Sequence, residues 1–466
     1  MLEEILSNLQ TEYDCYEING TIYKSSDLYK FICNIYSYLE KNNPDKHNVV
    51  VYGHKDIYMI ATFLACAFLG ITYIPIDISC PDDRKQSIID KVSPCLIIDK
   101  SIEEIMFSDD YEYIDKISND LENTYYMIFT SGSTGEPKGV KISYENISSC
   151  TSWLKNISSV SNGVIVNQAN FSFDLSVADI YLSLITKSKH FILEKDIQKD
   201  FSEMFNQLKN SNASLIVCTP SFADLLLLDS TFNEELLPNL KEILFCGEKL
   251  HTKTVKKLRE RFNSLNIINS YGPTECTFAV TSYIVDDENN ISVGYSKPDS
   301  PIFIVNENLE IIKDGEIGEI LITGKSVGLG YLNPPSNNGY VNFQGKQAYK
   351  TGDFGYIKNN RIYCIGRKDS QIKLGGYRIE LSEIENILNS FEFVEKAIVT
   401  TKTNNDIVKR IIAFVKTSEN ISEENIRNEL SKKLPHYMMP IIKIIDKIPM
   451  NTNGKCDINT LLKEYC

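Results

Sequence analysis

The ten residues Thr130-Ser131-Gly132-Ser133-Thr134-Gly135-Glu136-Pro137-Lys138-Gly139 follow the apolar run YYMIF and hold the clearest chemistry in this sequence. Glycines and small hydroxyl residues let successive backbone N–H groups converge on an anion, the hydroxyls add donors, and Lys138 adds charge. That combination suits a phosphate chain. The spacing is not GxxxxGK[ST], so it is not a Walker A loop and no helix must start at the lysine. A short SGSG string alone reads as a flexible turn; an ordered run of this length does not. The histidines, His47, His54, His190, His251 and His436, lie in no triad or metal spacing, which argues against a hydrolase or nuclease. Twelve cysteines include no CxxC pair and no Cys/His cluster at zinc spacing. Cys66, Cys218 and Cys246 fall in apolar runs, where free cysteine acts as a small hydrophobe, so a reducing cytoplasm is expected.

Those residues need a large scaffold. The 466 residues, at roughly 150 per domain, imply two to four domains with room for a sizeable core. NVVVYGH (48–54), CLIID (95–99), SLIVCTP (214–220) and EILFCGE (242–248) read as buried strands. Helical stretches such as TKTVKKLRERF lie near them, so the first half is α/β with mainly parallel sheets. After about residue 290, short strands with Gly and Asn turns (GEILITG, DFGYIKNNRIYCIG) predict an antiparallel, barrel-like subdomain. A small α+β unit of helices (LSEIENILNS, ISEENIRNELSKKLP) and strands (KAIVTT, RIIAFVKT) starts near Asp369.

Charge divides the chain in the same way. The whole carries −14; residues 396–466 hold 12 Lys/Arg against 8 Asp/Glu (+4), which leaves −18 on the first 395. A basic segment beside an acidic body suggests a separate domain that meets an acidic partner, although chance unevenness gives the same pattern. The acidic balance argues against nucleic acid as a partner. No run reaches the roughly 20 apolar residues of a membrane span. The acidic start MLEEILSNLQTEYD argues against a secretory signal.

TSGSTGEPKG resembles the phosphate loop of the adenylate-forming superfamily: acyl-CoA synthetases, luciferases and peptide-synthetase adenylation domains. SYGPTE (270–275), YKTGDFG (349–355), GRKDSQIKLGGYRIEL (366–381) and NGKCD (453–457) follow in that family's order. The resemblance implies ATP-dependent carboxylate activation followed by thioester formation. It implies a body of residues 1–368 and a mobile C-terminal domain of residues 369–466. Thr130, Ser131, Gly132, Ser133, Thr134, Gly135 and Lys138 then hold the β- and γ-phosphates. Glu275 binds Mg²⁺, a hard cation that prefers oxygen ligands. Thr274 contacts the α-phosphate, Tyr271 stacks on adenine, and Asn269, Ser270, Gly272 and Pro273 complete that wall. Asp353 accepts from both ribose hydroxyls, with Arg367 and Cys364 nearby. Lys455 brings a compact positive charge to the phosphoryl transition state and is the expected catalytic residue, with Thr274 and Glu275. Asp369 is the hinge on which the C-terminal domain turns, and Gly375 and Gly376 line the approach of the thiol.

Asp174, in FSFDLSVADIY, marks the amino-acid branch of the superfamily, where it pairs with the substrate ammonium; helix N-capping is its alternative use. NQANFSFDLSVADIY and SYGPTECTFAVTS resemble D-alanine–D-alanyl carrier protein ligases. The implied pocket is Asp174, Leu175, Ala178, Val217, Leu244, Cys246, Ser270, Phe278 and Ala279. Ala178 stands where those ligases carry a bulky Met, and Phe278 where they carry a small aliphatic residue; one change enlarges the pocket and the other fills it. No carrier-type serine motif is visible, so a phosphopantetheinyl carrier protein acting in trans is the expected acceptor, with coenzyme A as the alternative. A stand-alone adenylation enzyme for another amino acid, an acyl- or aryl-CoA ligase, and a silent binding protein on this fold are the competing readings.

Overall fold

The computed structural model describes the chain except residues 119, 132–135, 195–199, 334–338, 368–370, 405–406, 419–420, 448, 450–457 and 466. It divides into two compact units. The first holds residues 1–77, 92–128 and 139–368. Its nine-stranded sheet is built on the parallel strands Asn266–Tyr271, Glu242–Phe245, Leu215–Cys218, Val164–Asn167 and Lys189–Ile192, in that order. The antiparallel strand Thr281–Ile284 pairs with Asn266–Tyr271, and the hairpin Asp14–Ile18/Thr21–Lys24 extends the far side. A six-stranded sheet contains the predicted Val49–Gly53 and Leu96–Ile98 together with Tyr73–Asp77, Thr124–Thr130, Lys138–Ser143 and Gly330–Tyr331. The Gly- and Asn-punctuated stretch after residue 290 forms an antiparallel sheet of Ile302–Val305, Gly318–Thr323, Tyr340–Phe343, Lys346–Lys358 and Arg361–Arg367.

Two helices of this unit are buried on every side. Ile57–Leu69 and Leu175–Thr186 expose none of their residues, as an apolar helix must when core surrounds it. Some of their hydroxyls reach out, as Tyr58 does to the Tyr52 carbonyl and Tyr181 to the Tyr73 hydroxyl, each at 2.8 Å. Others are satisfied within the helix: Thr62 donates to the Tyr58 carbonyl and Thr186 to that of Leu182, each at 2.7 Å. Asp179, also on Leu175–Thr186, cannot be satisfied that way, and its partners come from outside the helix.

The second unit gathers residues 78–91, 129–138 and 369–466. Its sheet runs Val394–Asn404, Ile407–Thr417, Ile441–Ile444, and the helices Leu381–Asn389 and Glu423–Lys433 supply Ile384, Leu388, Ile426 and Leu430 to its core. Two upstream segments thus group with the stretch that begins at residue 369. Inside this unit Arg84 donates to Glu383 at 2.6 Å with both side chains buried, and the Ser131 hydroxyl donates to the Arg378 carbonyl at 2.8 Å.

Candidate active site

Strand Asn266–Tyr271 runs through the parallel part of the large sheet, and its C-terminal end opens the site. Ligands of open α/β sheets gather at that edge. Gly272 and Pro273 lead into a single 3₁₀ turn, Thr274–Cys276, and the chain returns antiparallel with Tyr271 opposite Thr281. Gly272 is required here: a Cβ would stand 2.6 Å from Ala279 Cα and 2.8 Å from the Phe278 carbonyl oxygen. Thr277 and Phe278 then adopt φ of +59° and +68°, a region that costs an L-residue about 1–2 kcal/mol. The Thr277 hydroxyl, donating to the Ser326 carbonyl at 2.9 Å, and the Val280 N–H, donating to the Tyr271 carbonyl at 2.8 Å, hold that turn.

The turn buries Glu275 and exposes 1% of it. Tyr331 donates to Glu275 Oε1 at 2.5 Å, the Tyr331 and Tyr349 hydroxyls lie 3.3 Å apart, and the Tyr340 hydroxyl reaches the Glu275 carbonyl at 3.4 Å. Tyr331 and Tyr340 lie outside the quoted motifs and Tyr349 opens YKTGDFG; their regular spacing, nine residues apart, is the signal that marks them. Among the described residues no group of three His, Cys, Asp or Glu side chains could hold a metal. A lone buried carboxylate fits Mg²⁺, which keeps several waters and takes its other ligands from phosphates.

Beyond the turn lies a second acidic group. Asp353, on Lys346–Lys358, pairs across the ladder with Arg367 on Arg361–Arg367. The Tyr271 hydroxyl donates to Asp353 Oδ2 at 2.6 Å, and Arg367 donates to Oδ1 and to the Thr351 carbonyl, both at 3.0 Å. Burial first, then Asp353 and Cys364, push the Tyr271 hydroxyl well above its ordinary range, so it remains a donor. Each carboxylate oxygen keeps a further lone pair for a ligand hydroxyl. Asn269 is fixed by a 2.7 Å bond to the Ser292 carbonyl, and the Ser270 hydroxyl is spent on the Phe245 carbonyl at 2.7 Å.

The expected side-chain pocket falls on one face of the same sheet. Val217 and Leu244 are register partners, and with Cys246 they share a buried cluster with Leu175, Ala178, Phe278 and Ala279. Cys246 directs its thiol at the Phe278 carbonyl, 3.9 Å away. Asp174 is buried at the head of helix Leu175–Thr186, and its side chain makes no capping bond to that helix. The N-cap use of this aspartate is therefore not what the fold adopts. Tyr126 and Cys150, which the motifs did not mark, lie within electrostatic reach of Asp174. Burial first, then Asp174, holds the Tyr126 phenol well above its usual range. Burial, opposed by Lys297, pushes the Cys150 thiol up to about 12.

Other expected residues lie elsewhere. Thr130, Ser131, Lys138, Gly375 and Gly376 belong to the second unit. Thr130 ends one strand and Lys138 opens the next, so no helix begins at the lysine. Gly375 and Gly376, with φ of +59° and +84°, form the two-residue turn between Gln371–Leu374 and Tyr377–Glu380, the backbone that a tight hairpin requires. Gly132, Ser133, Thr134, Gly135, Asp369 and Lys455 lie outside the described residues.

Comparison with known proteins follows the same outline. Residues 19–332 match the family model described as AMP-binding enzyme, and residues 383–455 match AMP-binding enzyme C-terminal domain. The D-alanine–D-alanyl carrier protein ligase of Bacillus licheniformis is 39% identical over 452 residues, covering 90% of each chain. Its namesake in Bacillus cytotoxicus is 39% identical over 457 residues, again covering 90% of each. In structure, a Vibrio cholerae adenylation domain solved with glycyl-adenosine-5'-phosphate superposes with a TM-score of 0.87 at 21% identity, covering 99% of this chain and 97% of that one. The o-succinylbenzoate CoA synthetase of Bacillus subtilis gives 0.85 at 20% identity, covering 99% and 98%. With its acidic turn, its Tyr–Asp–Arg chain and two family models matched in order, the chain belongs to the AMP-binding enzyme family.

Proposed function

We propose that this protein activates D-alanine with ATP and passes it, as a thioester, to the phosphopantetheine arm of a separate carrier protein. The observation that carries this reading is the pairing of a buried, non-capping Asp174 with an apolar enclosure of Leu175, Ala178, Val217, Leu244 and Phe278. One end suits an ammonium, and the other suits a short apolar side chain. The relatives' names supply D-alanine and the carrier protein.

In the first half-reaction a substrate carboxylate oxygen attacks the α-phosphorus of ATP. The bond to the β-phosphate bridging oxygen breaks, and pyrophosphate leaves with that electron pair. In the second, the carrier thiol attacks the acyl carbon, AMP departs with the former carboxylate oxygen, and the thiol proton passes to water. Both partners of the first step are anionic, so fixed donors and cations must gather around the phosphates. Mg²⁺ held by Glu275 neutralises part of that charge when bound. Lys138 and Lys455 contribute the rest, Tyr271 and Asp353 orient the nucleoside, and Arg367 keeps Asp353 aligned. Rotation about Asp369 brings Gly375 and Gly376 to the thiol's path for the second half. No described helix is long and apolar enough to cross a membrane, and we place the reaction in the cytoplasm, where ATP and carrier are both available.

ATP–pyrophosphate exchange across D- and L-amino acids and simple carboxylic acids tests this. Exchange is expected with D-alanine above all others. A preference for another amino acid would replace D-alanine, exchange only with acids lacking an amine would remove the Asp174 role, and no exchange with any would favour a silent protein. Lys455→Ala is expected to abolish exchange while ATP still binds.

A further inference from the structure

Asp174 sits at the end of a short excursion from strand Val164–Asn167 to helix Leu175–Thr186. That excursion is clamped by a polar cluster with no part in the chemistry above. Asn167 Nδ2 donates to the Ala169 carbonyl and to both oxygens of Asp179, each at 3.0 Å, which ties the strand's end to the helix's second turn. His190, from the neighbouring strand, meets Asp179 Oδ1 through Nε2 at 2.9 Å, and Phe171 stacks on the imidazole at 6.2 Å between centroids. Lys55 Nζ donates to the Gln168 and Leu193 carbonyls, both at 2.8 Å. Residues 167, 168, 169 and 171 are thus each held before the chain reaches Asp174.

Holding them this way is costly. Lys55 and Asp179 are completely buried and His190 is 2% exposed. Among the described residues, His190 Nδ1 and Asn167 Oδ1 have no hydrogen-bond partner. An apolar filling of the same volume avoids desolvating two charges and stranding two polar atoms. Half-satisfied buried networks persist where they fix a geometry that packing alone leaves loose.

We infer that Asn167, Asp179, His190 and Lys55 form a positioning clamp that sets where Asp174 presents its carboxylate to the substrate ammonium. The inference rests on the proposed role of Asp174 and goes beyond it. The residues act through Asp174 and touch no substrate atom themselves.

The test is exchange kinetics on the full chain, with KM determined separately for D-alanine and ATP, beside a thermal melt. His190→Phe keeps the stacking and deletes the donor; His190→Gln restores a donor. The expected result is a KM for D-alanine raised about tenfold in His190→Phe, with the KM for ATP within about twofold of wild type and substantial recovery in His190→Gln. Asp179→Asn sets an amide donor against Asn167 Nδ2 and is expected to show the same split. A lowered melting temperature with both KM values unchanged, or with both raised alike, would mean a purely structural cluster and overturn the inference. Should His190→Phe fail to fold, Asn167→Ala removes only the strand-to-helix tie, and the same split must appear there. Asp174→Asn separates the two failures. If it leaves the KM for D-alanine unchanged, the reading of the site has failed; if it raises that KM and the clamp variants do not, only the clamp has failed.

Discussion

Asp353 and Asp179 are both buried aspartates, each held by one cationic-type partner and one neutral donor, yet they are built for different work. Asp353 lies at the mouth of a sheet, its partner is an arginine that never loses its proton, and its second bond comes from a phenol kept protonated by its surroundings. Asp179 is fully buried, its partner is a histidine, and the network around it strands two polar atoms. The first arrangement holds a carboxylate with lone pairs left to present to a ligand. The second uses a carboxylate as a knot that ties a strand, a helix and a loop. An acidic residue next to a cation is therefore no guide to its role; what matters is whether the partner's charge is permanent and whether a lone pair still faces a ligand.

The largest effect that tests this contrast is expected at Asp353. Asp353→Asn removes a charged acceptor from Arg367 and from the ribose, and truncating a buried charged partner of this kind should raise the KM for ATP about 100-fold. The KM for the amino acid should stay near wild type in the same exchange assay. A variant that instead raised the amino-acid KM would erase the distinction between the two aspartates. Arg367→Lys is expected to do less. A lysine brings a point charge but cannot bridge Asp353 and the Thr351 carbonyl as the guanidinium does, so a roughly tenfold rise in the KM for ATP is expected. An unchanged KM would mean that charge alone aligns Asp353.

The two aspartates also differed in how visible they were. Asp353 stands within the motif YKTGDFG and Arg367 within GRKDSQIKLGGYRIEL, so the family resemblance points to both as nucleotide residues, although TGD alone reads only as a turn. Asp179 reads as one polar residue in an otherwise apolar helix, and His190 as one of five histidines in no familiar spacing. Their pairing depends on two neighbouring elements folding face to face, which no local string encodes. The buried strands were legible because parallel β-structure covered on both faces leaves continuous apolar runs. The return turn was partly legible through Gly272, but the left-handed Thr277 and Phe278 were not, since neither residue type favours that conformation. Grouping of residues 78–91 and 129–138 with the C-terminal stretch rests on contacts such as Arg84–Glu383, nearly three hundred residues apart in sequence.

Glu275 gives the contrast a third point, since among the described residues tyrosine hydroxyls gather over it. Tyr331→Phe deletes the hydroxyl that meets Glu275 Oε1 and leaves the ring packed against Tyr340. One hydrogen bond to a carboxylate contributes about 1.5 kcal/mol, so the Mg²⁺ concentration for half-maximal exchange should rise about tenfold. Binding of Mn²⁺ with ATP, followed by electron paramagnetic resonance, should weaken in parallel. A shift in exchange without a shift in Mn²⁺ binding would place Tyr331 in the fold of the turn and not in metal binding.

The smallest expected effect, and the one most specific to Asp179, is on stability against pH. Burial raises the proton affinity of its carboxyl, and His190, Asn167 and Lys55 oppose that rise without cancelling it. Its folded-state pKa therefore lies above the unfolded value of about 3.9. Between those two values the folded chain binds more protons at this site than the unfolded chain does. Stability must then fall as pH rises through that interval, the reverse of the usual salt-bridged carboxylate. Asp179→Asn cannot titrate, so its melting temperature lacks this component. Melts of both proteins from about pH 4 upward should show the wild type losing ground to the variant as pH increases, with the difference levelling once the carboxyl is fully ionised. A difference that grows in the wild type's favour would mean that the cations around Asp179 outweigh its burial, and the knot would then resemble Asp353 after all.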